Sequence, residues 1–196
     1  MCGRYYIESE HEDSELAAIL EELQRSHGNS EAHAAMKLGE IFPTNIVPVL
    51  FSQGPVLMKW GYSGYGNKVI NARSETAFEK PMFRKSMQER RCLLPASGYY
   101  EWRRTPGGGK SKQKYALYRA GQPTIFMAGL WREEQGERLP VFVILTKAAG
   151  PGIADIHDRM PVILPEAAKE EWLSPNADPG KVMGMSMEDM AFRPVS

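Results

Sequence analysis

The chain has 196 residues, of which 42% are hydrophobic and 24% charged, which is typical of one soluble globular domain spanning 1–196. Its 24 basic and 24 acidic residues give a formal net charge of zero, which excludes a global field that would attract nucleic acid or membranes. Two cysteines, a start without a leader pattern and short apolar stretches exclude a disulfide framework, a signal peptide and a membrane span, so we expect a reducing, cytoplasmic compartment.

The N-terminal part of the chain predicts a strand followed by a helix. Residues 4–7 have the composition of a short strand that would anchor the N-terminus. Ser9 and Glu12 have the spacing of a capping box, and Gly28 marks the expected end of the helix. The apolar residues between these signals repeat at helical period: Leu16, Ile19, Leu20 and Leu23. Residues 30–42 favour neither helix nor strand.

A strand pair is predicted next, with 47–51 and 56–60 on either side of a tight Gln-Gly turn. The stretch 61–66 is too rich in glycine for a regular element and predicts an exposed aromatic loop. A short helix with one apolar side is expected over 82–90.

The second half of the chain alternates short strands with turns. The predicted strands cover 92–95, 99–102, 115–118, 125–131 and 141–145. A glycine-rich turn is expected at 105–109, and a helix near 165–173. The methionine-rich C-terminal residues have no clear period. The predicted fold class is α+β, with a mostly antiparallel sheet curled towards a barrel and two or three flanking helices.

The most reactive feature of the sequence is Cys2, directly behind Met1. If Met1 is removed, Cys2 carries a free α-amine with a pKa near ~8 next to a thiol whose pKa, near ~8.5, is readily lowered. The amine could then act as base for its own thiol in acyl transfer. Alternatively, it could condense with an aldehyde to an imine, which the sulfur closes to a thiazolidine ring. The structural alternative is a small residue tolerated there without a role.

Two polar side chains stand at a predicted strand boundary. Asn71 and Arg73 follow an apolar pair at 69–70, where a strand ends and a helix could begin. Such a boundary presents backbone N–H groups to an anion, and the two side chains point the same way if the backbone stays extended. A helix cap at Asn71 and a solvated charge at Arg73 are the structural alternatives.

Two further residues are candidates for proton transfer. Glu101, between Tyr100 and Trp102, is either on the exposed face of an alternating strand or buried with a raised pKa, and a raised pKa would suit a proton shuttle. His157 precedes an apolar strand between carboxylates that favour its protonated form, and its structural alternative is a surface-loop histidine.

The aromatic residues of 60–65 allow two interpretations. Trp60, Tyr62 and Tyr65 are either core and loop anchors or a stacking platform for unpaired bases. Cys92, in an apolar strand, is expected to be a buried core residue. Neither the cysteines nor the histidines have metal-ligand spacing, so no metal or other cofactor is expected.

Five segments together resemble the SRAP family, the SOS-response-associated proteins that process abasic sites in single-stranded DNA. The segments occur in the family's order and rough spacing, and the resemblance spans nearly the whole chain. They are Met1-Cys2-Gly3-Arg4, Trp60-Gly61, INARSET at 70–76, GYYEW at 98–102 and DIHDRMP at 155–161.

The resemblance implies that the mature protein begins at Cys2 and forms a thiazolidine with the ring-opened deoxyribose of an abasic site, which shields the lesion from strand breakage. It also implies supporting active-site residues, namely Asn71, Glu101 and His157. Phosphates around the lesion would be held by three arginines: Arg4, Arg73 and Arg159. The implied activity combines a peptidase-like removal of Met1 with lyase-like chemistry at the abasic site.

The implied partner is single-stranded DNA that contains abasic sites, bound by a monomer on damaged DNA of the nucleoid. Two departures from the family pattern affect these expectations. The tryptophan pair of the DNA-facing loop is absent and Tyr65-Gly66 falls near its place, so base contacts by Trp60 and Tyr65 are expected to be weaker. The chain also ends at Ser196, short of where the family pattern continues, so the closing segment is expected to be missing.

Two other functions stay open on the sequence alone. N-terminal nucleophile amidohydrolases also begin Met-Cys-Gly, with the thiol attacking an amide and the amine as base, although the sequence has no second glycine-rich motif for an oxyanion. A non-covalent single-strand-binding module would leave Cys2 without a role.

Overall fold

The structure, a computed structural model, describes residues 2–8, 14–104 and 112–195. Its strands, in chain order, are β1 (Arg4–Ile7), β2 (Gly39–Ile41), β3 (Ile46–Phe51), β4 (Gly54–Trp60), β5 (Tyr62–Ser63), β6 (Lys68–Val69), β7 (Asn71–Arg73), β8 (Arg91–Ala96), β9 (Gly98–Arg104), β10 (Lys112–Tyr118), β11 (Ile125–Arg132), β12 (Val141–Ala148), β13 (Arg159–Pro161), β14 (Ile163–Leu164) and β15 (Ala191–Val195). Its helices are α1 (Ser14–His27), α2 (Glu31–Ala34), α3 (Pro81–Glu89), α4 (Lys169–Leu173) and α5 (Pro179–Met183), with a 3₁₀ turn at Glu166–Ala168. Within the described ranges, no helix has both the length and the apolar character needed to cross a membrane.

The strands form a five-stranded sheet and a larger sheet that partly closes into a ring. The small sheet has the order β15-β10-β9-β1-β2, and its neighbouring strands are antiparallel. The large sheet follows β13-β12-β4-β3-β8-β11-β14, and an additional β11–β12 pair closes its central strands into a ring. Two pairs, β12–β4 and β12–β7, are parallel. The predicted α+β class with a mostly antiparallel, barrel-like sheet is confirmed, with five short helices in the described ranges where two or three are predicted.

Both faces of the ring are buried, as the side chains of β12 show: they alternate between two hydrophobic cores. Phe142 and Ile144 belong to a core that they share with Tyr5 of the five-stranded sheet. Val143 belongs to the second core, which packs against Trp172 of α4. Burial on both faces explains why 141–145 is apolar throughout, without the alternation of a half-exposed strand.

Most of the predicted elements are confirmed within a few residues at each end. The strands at 4–7, 47–51 and 56–60 correspond to β1, β3 and β4, and α1 ends at His27. The later predicted strands correspond to β8 to β12, and the helix predicted over 82–90 is α3. The helix predicted near 165–173 is a 3₁₀ turn followed by α4. The predicted capping box at Ser9 and the turn at 105–109 lie outside the described residues.

Three local predictions need correction. The stretch 61–66 is not an exposed loop throughout, because Tyr62 lies in β5, is buried and contacts Phe83 of α3 at a ring-centroid distance of 6.1 Å. Asn71 marks the start of a strand and not the end of one, since 71–73 form β7 alongside β12. The C-terminal residues without a clear period supply α5 and β15, the edge strand of the small sheet.

Candidate active site

Strands β1 and β9 bring Cys2 and Glu101 together. Their antiparallel register pairs Arg4 with Tyr100. One step further along the same ladder, Glu101 lies level with Gly3, next to Cys2. Cys2 is 0% exposed and Glu101 is 4% exposed. The register therefore buries the Glu101 carboxyl group beside Cys2.

Alternation along β9 decides which face Glu101 occupies. Tyr99 and Glu101 are buried between the two sheets, while Tyr100 lies on the outer face and stacks on Tyr6 at a ring-centroid distance of 4.8 Å. Burial raises the pKa of Glu101 to about 7. Of the two interpretations that the sequence leaves open, the buried one is confirmed.

The thiol of Cys2 is held in its neutral form. Burial, followed by the negative charge of Glu101, raises the pKa of the Cys2 thiol well above its ordinary range. The sulfur donates a hydrogen bond to the carbonyl oxygen of Arg4 at 3.6 Å. A thiol pKa is readily lowered beside cations, but this site gives the sulfur burial and a negative neighbour, which raise it.

Asn71 joins the N-terminal strand to the ring. Strand β7 runs parallel to β12 with Asn71 level with Ile144, and the Asn71 Nδ2 donates to the carbonyl oxygen of Cys2 at 2.9 Å. This bond fixes the backbone of Cys2 from the opposite sheet. A helix cap is excluded, since Asn71 lies in a strand. Arg73, two residues along the same strand, is exposed on the same side.

His157 stands directly before β13 and faces Glu101. Its Nε2 lies 4.0 Å from the Glu101 Oε2. Its Nδ1 accepts a hydrogen bond from the backbone N–H of Arg159 at 3.0 Å and also lies 2.9 Å from the Asp158 Oδ1, so the Nε2 side of the ring is the one that points towards Glu101. Burial lowers the pKa of His157 and outweighs the nearby Asp158. The predicted preference for the protonated form is therefore wrong, and a neutral imidazole meets the carboxyl group.

Two of the three candidate arginines are paired with carboxylates. Arg159 donates through Nη1 and Nη2 to the two carboxylate oxygens of Glu75 at 2.7 and 2.9 Å, and to the carbonyl oxygen of Thr146 at 2.7 Å. Arg4 donates to Glu40 at 3.1 Å on the outer face of the small sheet. These contacts hold both guanidinium groups in fixed positions, and their binding of phosphates stays a prediction.

The two aromatic candidates have opposite environments. Trp60 is 0% exposed, and its Nε1 donates to the carbonyl oxygen of Ile70 at 2.9 Å. The prediction of a base contact by Trp60 is therefore wrong, because neither face of its ring is accessible. Tyr65 is fully exposed in the β5–β6 turn, and its contact with DNA stays a prediction. Cys92 is buried, as predicted.

Sequence analysis does not single out Tyr5 and Tyr99, although both belong to this site. They face each other across β1 and β9 on the same inner face as Glu101. Their hydroxyl groups are buried and have no hydrogen-bond partner among the described residues. The sequence does contain a signal, because Tyr99 stands two residues before Glu101 and therefore shares its face of the strand. Tyr5 can be placed on that face only once the register of β1 against β9 is known.

Comparisons with known proteins bear on the whole chain. The family model described as SOS response associated peptidase (SRAP) matches residues 1–196. The abasic site processing protein YoqW of Bacillus subtilis (strain 168) is 33% identical over 196 residues, which covers 91% of this chain and 83% of YoqW. The abasic site processing protein YedK of Escherichia coli (strain K12) is 34% identical over 184 residues, which covers 88% of this chain and 79% of YedK.

The fold also matches solved structures. A crystal structure of a protein from Bacteroides thetaiotaomicron has a TM-score of 0.74 to this chain at 23% identity, and the match covers 100% of this chain and 92% of that one. This likeness shows a shared fold.

Proposed function

The chain belongs to the SOS response associated peptidase (SRAP) family, and from this we propose that it captures abasic sites in single-stranded DNA through Cys2. The names of its relatives, abasic site processing proteins, support DNA-lesion processing as the activity. The observation that carries the proposal is a chain of contacts from separate segments: Asn71 bonds to the Cys2 backbone, Glu101 lies beside Cys2, and His157 faces Glu101.

In the proposed reaction, hydrolytic removal of Met1 first leaves a free α-amine on Cys2. Glu101, as a carboxylate, accepts a proton from the ammonium form, and the neutral amine adds to the aldehyde carbon of the ring-opened sugar. Protonated Glu101 gives this proton to the aldehyde oxygen and then passes a second proton from the nitrogen to the same oxygen, which leaves as water. Loss of the last nitrogen proton to Glu101 gives a neutral imine. The thiol then adds to the imine carbon and its proton passes to the nitrogen. One aldehyde and one aminothiol thus give one thiazolidine and one water.

The acid–base groups suit these proton transfers. A carboxyl group with a pKa of about 7 is present in both forms near neutral pH, so it can accept a proton and return it within one cycle. His157, as a neutral ring, can help to open the closed hemiacetal of the sugar by moving a proton between its two oxygens. Asn71 would hold the Cys2 backbone in place during both steps.

The protonation of the thiol argues against the amidohydrolase alternative. A thiolate is the nucleophile in thiol-dependent amide hydrolysis, and burial beside Glu101 disfavours the thiolate of Cys2. A neutral thiol is compatible with imine chemistry, because the amine attacks first and the sulfur only closes the ring.

The test uses single-stranded oligonucleotides that carry an abasic site, an intact base or a tetrahydrofuran analogue without an aldehyde. Intact-protein mass spectrometry should show one DNA-sized increment, less one water, on a species without Met1, and only with the abasic strand. Cys2→Ala should give none, whereas the control Cys92→Ala should react like wild type. Full crosslinking by Cys2→Ala would contradict the mechanism. Glutamine hydrolysis without DNA would favour the amidohydrolase, and equal affinity for intact and abasic strands would favour a non-covalent module.

A further inference from the structure

Several of the buried polar atoms without partners belong to residues of the candidate active site or to their neighbours in the β1–β9 ladder. Within the described residues, side-chain atoms that are inaccessible and lack a hydrogen bond include Asn71 Oδ1, Thr76 Oγ1 and Arg159 Nε, together with two tyrosine hydroxyls, those of Tyr5 and Tyr99. Buried polar groups are satisfied almost everywhere in native proteins, because leaving one unpaired destabilises the fold. Two such hydroxyls on directly paired residues, those of Tyr5 and Tyr99, indicate a place that can receive a polar atom of a ligand.

The two tyrosines are held rigidly with their hydroxyls in this site. Both are 0% exposed, and they face each other directly in the β1–β9 ladder. The ring of Tyr5 packs on the buried ring of Trp60 at a centroid distance of 5.3 Å. Neither side chain can turn to solvent to satisfy its hydroxyl, so the positions of the two oxygens are fixed by the fold.

The ladder places the two tyrosines two pairs away from Glu101, which lies next to Cys2, and their surroundings keep both hydroxyls protonated. The pKa values of both tyrosines are raised, first by burial and then by the charge that a Cys2 thiolate would carry; a Cys92 thiolate would add to this for Tyr5, and Glu101 adds to it for Tyr99. Both phenols therefore keep their protons and act as hydrogen-bond donors at any working pH.

We propose that the hydroxyls of Tyr5 and Tyr99 bind the aldehyde oxygen of the ring-opened abasic sugar while the amine of Cys2 attacks its carbon. This inference rests on the proposed function. As the amine adds, negative charge develops on that oxygen, and two preorganised donors in a dry site stabilise it. The tyrosines keep their protons throughout. The two protons that convert the oxygen to water come from the amine nitrogen by way of Glu101.

The test measures the single-turnover rate of adduct formation with an abasic oligonucleotide, for Tyr5→Phe, Tyr99→Phe and the control Tyr100→Phe on the opposite face of β9. We expect each inner variant to slow the reaction about tenfold or more, as for loss of one transition-state hydrogen bond. Thermal unfolding should stay the same or shift upward, because the change removes an unpaired buried hydroxyl. Affinity for the tetrahydrofuran strand, which has no aldehyde, should not change.

The outcomes separate this inference from the proposed function. If wild type forms no adduct, the proposed function fails, and this inference fails with it. If wild type forms the adduct and both inner variants react at its rate, only the role of the tyrosines is overturned. An inner variant that no longer folds would also overturn it, since that would show that its hydroxyl has a structural partner. If Tyr100→Phe slows the reaction as much as the inner variants do, the slowing comes from a general loss of packing and the proposed role of the two hydroxyls is overturned.

Discussion

The neighbourhood of Cys2 shows how burial changes the chemistry of single residues. In water the Glu101 carboxyl would be ionised and the Cys2 thiol partly so at pH 8. At this position burial favours the uncharged form of both, and each charge would also repel the other. Near neutral pH the thiol therefore keeps its proton, and the Glu101 carboxyl is present in both its forms.

Burial of Glu101 should also be visible in the pH dependence of stability. Its pKa is raised in the folded state from 4.5 to about 7, so between these values the folded protein binds more protons than the unfolded chain. By linkage, the free energy of unfolding then falls as the pH rises from about 4.5 towards 7. Glu101→Gln removes this titration. We expect the variant to gain on the order of 3 kcal/mol over wild type at pH 8, and little at pH 4.

Urea unfolding of both proteins at several pH values between 4 and 8 measures this difference. The matched control is Glu134→Gln. The Glu134 carboxylate is ion-paired with Arg132 and its pKa is lowered, so it should not titrate between pH 4.5 and 7. A gap between wild type and Glu101→Gln that is constant across this range would show that Glu101 titrates normally in the folded protein.

At the scale of elements, α3 and α4 depend on one buried arginine. Arg91 begins β8, and its side chain donates to four carbonyl oxygens at the ends of these two helices. The Nε bonds to Trp172 at 2.8 Å, and the two remaining nitrogens bond to Met87, Gln88 and Ser174. These are carbonyls that a helix leaves unpaired at its C-terminal end, so the guanidinium caps two helices at once.

Arg91→Met should therefore destabilise the protein by about 2–4 kcal/mol, because several buried carbonyls lose a charged donor. Arg91→Lys should recover only part of this loss, since an ammonium group cannot reproduce the planar fork. Denaturant unfolding measures both, with exposed Arg84→Met of α3 as a control that should change little. Equal stability of Arg91→Met and wild type would contradict a capping role.

The elements also show where sequence patterns suffice and where they do not. Helical period and apolar runs predict α1, α3 and β12 because those signals are local. The spacing of Glu101 predicts that it shares a face with Tyr99, but not which face is covered, because the covering sheet lies far away in sequence. The same reason hides β15, whose pairing with β10 joins distant segments. Trp60 and Tyr62 are misjudged because their glycine-rich context suggests exposure.

At the scale of the whole molecule, the site lies at the seam between the two sheets. The small sheet supplies Cys2 and Glu101 through β1 and β9, while the ring supplies Asn71 and His157 through strands that flank β12 on its two sides. Cys2 is thus held from both sheets, by the pairing of β1 with β9 and by the hydrogen bond from Asn71. That the chain acts as a single domain and a monomer stays a prediction.

With zero net charge, binding of DNA must come from local cations, of which Arg159 is already neutralised by Glu75. The Arg159 guanidinium lowers the pKa of Glu75 to about 2, so Glu75 stays ionised at any working pH and competes with a phosphate for Arg159. We therefore expect Glu75→Gln to bind single-stranded DNA several-fold more tightly at low salt. Its plot of log affinity against log salt should be steeper by about 0.7, the value for one more phosphate contact on a single strand.

Fluorescence anisotropy with an unmodified oligonucleotide across a range of salt concentrations measures both quantities without the covalent step. Glu79→Gln, an exposed carboxylate on the same segment, alters the net charge by the same amount and should change affinity little, because its field is screened. If Glu75→Gln weakens binding, then Glu75 positions Arg159 for the phosphate instead of competing with it. If both variants tighten binding equally, the effect belongs to overall charge, and the pair of Glu75 and Arg159 has no special part in holding the strand.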